Sequence, residues 1–244
     1  MKFILTSDVD FVSDDILEFA YRSINKLPLT IFLTGKSDYL KTMAKSNKRW
    51  ELEVHPNFCN GSTHGKAFCE VVRTIEKFSG EKIGYRCHRY YSSNDVDEYF
   101  SSIGYKYSSN ICTDLVEMQP FKKRNGTIEI PIFFEDGGYL KYHGVPLIDN
   151  FINNLNNKNG VYVFNFHPIH LALNSSDFDF VYSFKNSMDS KKYNNMKIEE
   201  VLQYRNTGYG MADFFNELIK YAKENNIEFI NLREYYEECK GNRF

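Results

Sequence analysis

The sequence predicts an α/β protein built on a parallel sheet, either open or closed into a barrel. Three observations carry this. Short apolar runs of strand length alternate with amphipathic stretches of helix length, the pattern of repeated βα units. Several runs break directly into segments rich in Asp, His or Arg, where the loops of such sheets gather their chemistry. No internal repeat and no Pro-, Gly- or Ser-rich linker divides the 244 residues, so residues 1–244 read as one catalytic-size domain.

The first strand is Lys2 to Thr6, an apolar-rich run that opens into Ser7-Asp8-Val9-Asp10. Asp14 to Asn25 follows as an amphipathic helix, with Ile16, Phe19, Ala20 and Ile24 on one face. Leu29–Leu33 is the second strand, and a polar helix ends near Lys48. The Gly35-Lys36-Ser37 between them lacks the earlier glycine of a phosphate loop and carries no assignment. Trp50–Val54 is the third strand and runs straight into His55-Pro56-Asn57-Phe58. A polar loop through His64-Gly65 leads to a helix over about Lys66 to Phe78. Ile83–Arg86 is the fourth strand, followed at once by Cys87-His88-Arg89. Val96 to Ile103 is a short helix, Tyr105–Ser108 a fifth strand and Ile128–Phe133 a sixth, with Glu135-Asp136-Gly137-Gly138 after it. Val161–Phe166 is the clearest strand and ends on His167-Pro168-Ile169-His170. The polar stretch at about 174–195 is long for a loop in a compact domain and reads as a lid or insertion. Ile198 to Leu202 begins a helical stretch. Met211–Lys223 is a strong helix, Ile227–Ile230 a last strand and Arg233–Cys239 a closing helix.

Composition excludes several classes. Hydrophobic residues make up 42% and aromatics 16%, enough for a sizeable core. A formal net charge of −2 argues against a nucleic-acid partner. No apolar run approaches the roughly 18 residues of a membrane span. Met1 to Thr6 is too short for a secretory signal, which makes a cytoplasmic location the expectation. Five scattered cysteines without a CxxC pair indicate neither a disulfide scaffold nor a structural zinc knot.

The reactive residues cluster at strand ends. At a period of two, Asp8 and Asp10 share one side, a costly pairing unless a cation, a proton or a basic partner offsets it. His55, His88 and His167 each follow a strand within two residues. In a parallel βα arrangement these ends open on one face, so Asp8, Asp10, His55, Arg86, His88 and His167 are expected at one mouth. Aspartate with histidines is a mixed O/N donor set suited to one divalent metal ion, zinc foremost, with cobalt, nickel, manganese or iron(II) as alternatives. Asp10 and His55 are the first two ligands. His64, in a Gly/Ser loop able to fold back, is expected as the third, with His88, Cys59 and Asn57 as alternatives.

Taken together, Thr6-Ser7-Asp8-Val9-Asp10, the His-containing loop after the third strand, the Arg86-Cys87-His88 turn, Glu129-Ile130-Pro131 and Phe166-His167-Pro168 resemble the polysaccharide deacetylases of the NodB-homology group (carbohydrate esterase family 4). The likeness covers roughly residues 1–174 and is nearest to a divergent branch associated with surface-polysaccharide gene clusters. It implies an irregular (β/α) barrel of about seven parallel strands and a metal-dependent hydrolase that removes acetyl groups from N-acetylated sugars. It further implies Asp8 as general base, Asp10 and His55 as metal ligands, Arg86 as the group holding Asp8, and His167 as general acid. The family's second metal histidine falls on Cys59 here, and its Arg-x-Pro turn reads Arg-x-His.

His88, Asp136, Glu129, His170 and Asn57 complete the candidate set, as groups touching substrate or supporting a ligand. The partner is a small-molecule or glycan substrate, and the sequence sets no oligomeric state. Two other readings compete: an altered barrel that only binds carbohydrate, and an amidohydrolase for a non-sugar substrate.

Overall fold

The computed structural model describes residues 1–79 and 81–241. Its ten strands form one sheet: β1 (Lys2–Asp8), β2 (Leu29–Leu33), β3 (Trp50–Val54), β4 (Gly84–Tyr85), β5 (Tyr107–Ser108), β6 (Phe121–Lys122), β7 (Ile128–Glu129), β8 (Phe134–Glu135), β9 (Val161–Asn165) and β10 (Glu228–Ile230). They lie in the order β6-β7-β5-β4-β3-β2-β1-β9-β8, with β10 also paired to β1. Every named pair is parallel except β6 with β7.

The central strand is β1. One edge pairs along β9 from Lys2 to Thr6. The other edge is shared: Lys2–Ile4 pairs with β10 and Thr6–Asp8 with β2. Of the expected strand Ile128–Phe133 only Ile128–Glu129 pairs as β7, and β8 begins just after it at Phe134; Pro131, between them, has no N–H to give a ladder. The chain nevertheless stays extended there, as Ile130 N donates to Ser108 O (2.8 Å) and Phe133 N to Val163 O (2.9 Å). Counted as one bent stave, β7 and β8 link β5 to β9 and complete an irregular barrel of parallel staves. The antiparallel β6 and the wedge β10 lie outside that ring, which is why the count is ten rather than about seven.

Alternation along β1 sorts its side chains. Phe3 and Leu5 pack outward with Phe164, Phe134, Phe214 and Leu17 beneath the helices. Ile4 packs inward with Phe32, Ile132 and Val163, an apolar floor inside the barrel. Each buried Phe of these layers is worth roughly 1.5–3 kcal/mol of transfer free energy. Above the floor Thr6, Arg86, Ser109 and Asn165 form a fully buried polar layer, and Asp8 stands over it. The opposite end holds another polar group, in which Glu51 accepts from Thr30 Oγ1 (2.7 Å) and Tyr107 Oη (2.8 Å), away from Asp8.

Residues 174–195 correct the loop reading. Phe178–Asn186 and Ser190–Asn194 are helices, started by Asp177 accepting from Phe180 N (2.7 Å) and Asp189 from Lys192 N (2.8 Å). Val181 and Phe184 anchor the first of them against Ile16, Ile169 and Leu173. Three further helices were not expected, Asp136–His143, Ile148–Phe151 and Pro168–Leu173. All five cysteines are free, and no described helix is long and apolar enough to cross a membrane.

Candidate active site

The polar layer inside the barrel is organised by Arg86. From the end of β4 its Nη1 donates to Asp8 Oδ1 (2.9 Å), Asn165 Oδ1 (2.6 Å) and Thr6 Oγ1 (2.9 Å), while Nε and Nη2 bond Ser109 O (2.7 Å) and Oγ (2.8 Å). Its guanidinium lies 4.2 Å above the Phe32 ring. Asn165, at the end of β9, donates to Asp8 Oδ2 (2.9 Å) and so grips both partners. Burial pushes the Asp8 carboxyl up, but Arg86, with His55 and His167, outweighs it and holds Asp8 below its ordinary value. Asp8 is therefore an ionised, nearly buried carboxylate with fixed geometry.

Two residues on, the strand has ended. Asp10 and Phe11 both take left-handed backbone (φ 42° and 67°), an uncommon conformation for non-glycine residues. This turn brings the Asp10 carboxylate back over the barrel. Its Oδ1 lies 3.0 Å from His88 Nδ1 and 3.4 Å from His55 Nε2, and its Oδ2 lies 3.6 Å from His167 Nε2. His55 donates Nδ1–H to Arg86 O (2.7 Å), which leaves Nε2 facing Asp10, where it can carry a proton to the carboxylate or offer its lone pair to a cation. Burial raises the Asp10 carboxyl, yet hydrogen bonding with His55 and His88 holds it well below the carboxylate range. Asp10, His55 and His88 present one oxygen and two nitrogens, all within 4.8 Å of one another, a donor set that fits one divalent cation.

His167 stands across Asp10 and is oriented from behind. Asp136 accepts from the His167 ring at Nδ1 (2.6 Å) and from its backbone N–H (2.7 Å). Burial alone would lower this imidazole, but Asp136, Asp10 and Glu135 raise it to about 10, so it carries two protons at neutral pH. Asp136, His167 and His170 also lie within 4.8 Å of one another. Since Asp136 already engages His167 Nδ1, this trio orients a ring rather than encloses a cation. Glu135 caps the next helix by accepting from Gly137 N (2.9 Å) and Gly138 N (2.6 Å). A Cβ on either glycine would lie within 2.8 Å of a Glu135 oxygen, so a larger residue at either place would shift that carboxylate. Burial pushes Glu135 up to about 7 and His170 down to about 4.

These groups line one cavity of about 330 Å³: Asp8, Asp10, His55, His88, Glu135, His167 and His170, with Arg89, Tyr90, Phe178 and Lys185 on its wall. Four candidates fall elsewhere. His64 is turned away from Asp10: its Nε2 bonds Thr34 O (2.9 Å) and its Nδ1 accepts from Asn57 N (3.1 Å). With both ring nitrogens engaged by backbone, it has no lone pair for a cation, and His88 occupies the place expected of it. Asn57 accepts from Cys59 N (2.9 Å), and both belong to that same loop. Glu129 faces out of the barrel, opposite the inward Ile128 and Ile130, where it is buried against Ser108 Oγ, Asn110 N (2.6 Å) and Lys123 Nζ (3.3 Å) and acts only as a prop, because Asn110 in turn accepts from Cys87 N (2.9 Å). Asn165 and Glu135 were missed as site residues. The signal for Asn165 was an amide ending the most apolar strand, where a hydrophobic residue would otherwise continue it.

The raised His167 has a consequence for the metal-free protein. Its folded value of about 10 exceeds the unfolded 6.5, so its contribution to stability is complete below pH 6.5 and lost as pH rises through 10. The thermal midpoint of chelated protein should fall across that window, and His167→Gln should flatten the fall. An unchanged slope would mean that Asp136 does not hold a charged ring.

A family model described as WbmS-like polysaccharide deacetylase matches residues 5–197. Among solved structures, the chain resembles a candidate polysaccharide deacetylase involved in O-antigen biosynthesis from Bordetella bronchiseptica, with a TM-score of 0.75 and 23% identity over 89% of each chain. A candidate polysaccharide deacetylase from Mycobacterium smegmatis aligns with a TM-score of 0.56 and 13% identity, over 98% of this chain and 90% of that one. At these identities the two structures share the fold. A search of curated proteins gives no match. The family's enzymes act on amide bonds. With the matched segment spanning well over half of its length, the chain belongs to the WbmS-like polysaccharide deacetylase family.

Proposed function

We propose that this deacetylase removes the acetyl group from an N-acetylated sugar with one divalent ion, zinc by donor preference, held by Asp10, His55 and His88. The observation that carries this reading is the double role of Asp10: one oxygen faces two imidazoles and the other faces His167, with Asp8 pinned beside them. Such an ion supplies Lewis acidity, lowering the pKa of water and polarising a carbonyl oxygen.

The remaining chemistry belongs to the chain. Asp8, ionised and held by Arg86 and Asn165, takes the proton of the attacking water as general base. Arg86 keeps that carboxylate charged and immobile, which maintains its orientation without reorganisation during the reaction. His167, its Nδ1 held by Asp136, is aimed to give a proton to the departing amine, without which an amide resists cleavage. The Bordetella relative is described as acting in O-antigen biosynthesis. By analogy we assign this chain a surface polysaccharide or its precursor as substrate.

The test is acetate release from N-acetylglucosamine oligomers and from nucleotide-linked N-acetylglucosamine. Release should occur with zinc-loaded protein, stop on chelation and return when zinc is restored. Metal-replete protein that binds these sugars and frees no acetate would favour a carbohydrate-binding barrel instead.

A further inference from the structure

The cavity wall carries two cations that the proposed chemistry does not use, Arg89 and Lys185. Arg89 follows His88 in the turn after β4 and has left-handed backbone (φ 56°, ψ 27°), as does Tyr90 (φ 53°). Two successive non-glycine residues in that region persist only where surrounding contacts enforce them. Here Tyr90 N bonds Cys87 O (2.9 Å) and Asn110 Nδ2 bonds Tyr91 O (3.0 Å), so the turn that presents His88 to Asp10 also sets Arg89 on the same cavity. Lys185 comes from the Phe178–Asn186 helix and is half-buried.

Neither cation serves to neutralise the site. Asp8 is paired with Arg86, Asp10 faces His55 and His88, and the Glu135 oxygens are held by backbone N–H groups. Among the described residues, Arg89 and Lys185 enter no ion pair, and the nearest recorded partner of Lys185 is the Tyr193 ring at 5.7 Å. A neutral acetamido sugar gives such groups little to bind. A guanidinium fork and an ammonium lining one cavity suit a carboxylate or a phosphate.

Resting on the deacetylase reading above, we infer that the substrate is an anionic N-acetylated sugar, whose carboxylate or phosphate is held by Arg89 and Lys185 while its acetamido group reaches Asp8 and Asp10. The anion has two chemical sources, a uronic-acid carboxylate on the sugar or a phosphate at its anomeric carbon. Both place a negative charge two or three bonds outside the ring, away from the acetamido carbonyl.

The experiment titrates zinc-loaded Asp8→Asn protein calorimetrically with three probes: methyl N-acetylglucosaminide, its 6-carboxylate analogue and UDP-N-acetylglucosamine. At least one anionic probe should bind about tenfold tighter than the neutral one, as expected for a charge-assisted contact. The winning probe identifies the source of the anion. Arg89→Ala and Lys185→Ala, each in the same background, should reduce that preference about fivefold, with Arg89→Lys regaining part of it. With active protein, the same substitutions should raise KM for the anionic sugar more than they lower kcat. Equal binding of all three probes, or a preference that survives both substitutions, would overturn this inference and leave the deacetylase reading standing. Failure to bind any probe, together with no acetate release, would overturn both.

Discussion

Asp8→Asn should lower turnover by about 10³-fold, within the roughly 10²–10⁴-fold range of a lost general base, while the protein retains its metal. The substitution keeps the size and planarity of the side chain but removes its ability to take a proton. The three candidate ligand atoms come from Asp10, His55 and His88, so the change leaves the cation's donor set intact. Arg86 loses its carboxylate partner but keeps Ser109 O, Ser109 Oγ, Thr6 Oγ1 and Asn165 Oδ1. Stability should therefore drop by less than the roughly 3–5 kcal/mol typical when one member of a buried pair is removed. Metal content by elemental analysis, thermal midpoint and acetate release together separate the outcomes. Metal lost along with activity would exchange the roles of Asp8 and Asp10, and full activity would end the case for Asp8 as base.

The parts of the site legible in the sequence are those fixed by strand geometry. Asp8, Arg86 and His167 lie at or just beyond the ends of β1, β4 and β9, and parallel neighbours in one barrel place such ends on one face. Hidden were the features set by loop conformation. Nothing in the residues of the His64 loop tells that its ring turns to Thr34 O instead of to Asp10. His88, by contrast, lies only two residues after an arginine bonded to Asp8, in a short turn that leaves it little room to move from the strand end. Asn165 was passed over for another reason: it does not titrate, and its importance lies in bridging two charged groups. The helices within 174–195 were masked by polar composition, since Val181 and Phe184 supply most of the anchoring and aspartate caps supply the ends. Glu129 was expected to face the barrel interior, but Ile128 and Ile130 take that side and Glu129 points outward beside Ser108, since period-two alternation groups residues by face without saying which face is inside.

His88→Ala and His64→Ala should separate cleanly in metal affinity. Removing a partner that merely supports a ligand costs about 10–100-fold, and removing the ligand itself should exceed that, so His88→Ala is expected to weaken zinc binding by more than about 100-fold. Its ring is part of the donor set around Asp10 and has only part of its surface packed, so the fold should tolerate the loss with little change in thermal midpoint. His64→Ala should do the reverse. The ring satisfies Thr34 O and Asn57 N, and removing it leaves buried backbone groups without partners, at about 1–3 kcal/mol in stability. Zinc affinity should then stay within a few-fold of the parent protein, because His55 is fixed independently through Arg86 O. Competitive titration against a chromogenic chelator, paired with thermal melts, reads both quantities on each variant. A large affinity loss in His64→Ala with none in His88→Ala would return the third ligand to the loop after β3, and the left-handed turn at Asp10 would then need another explanation.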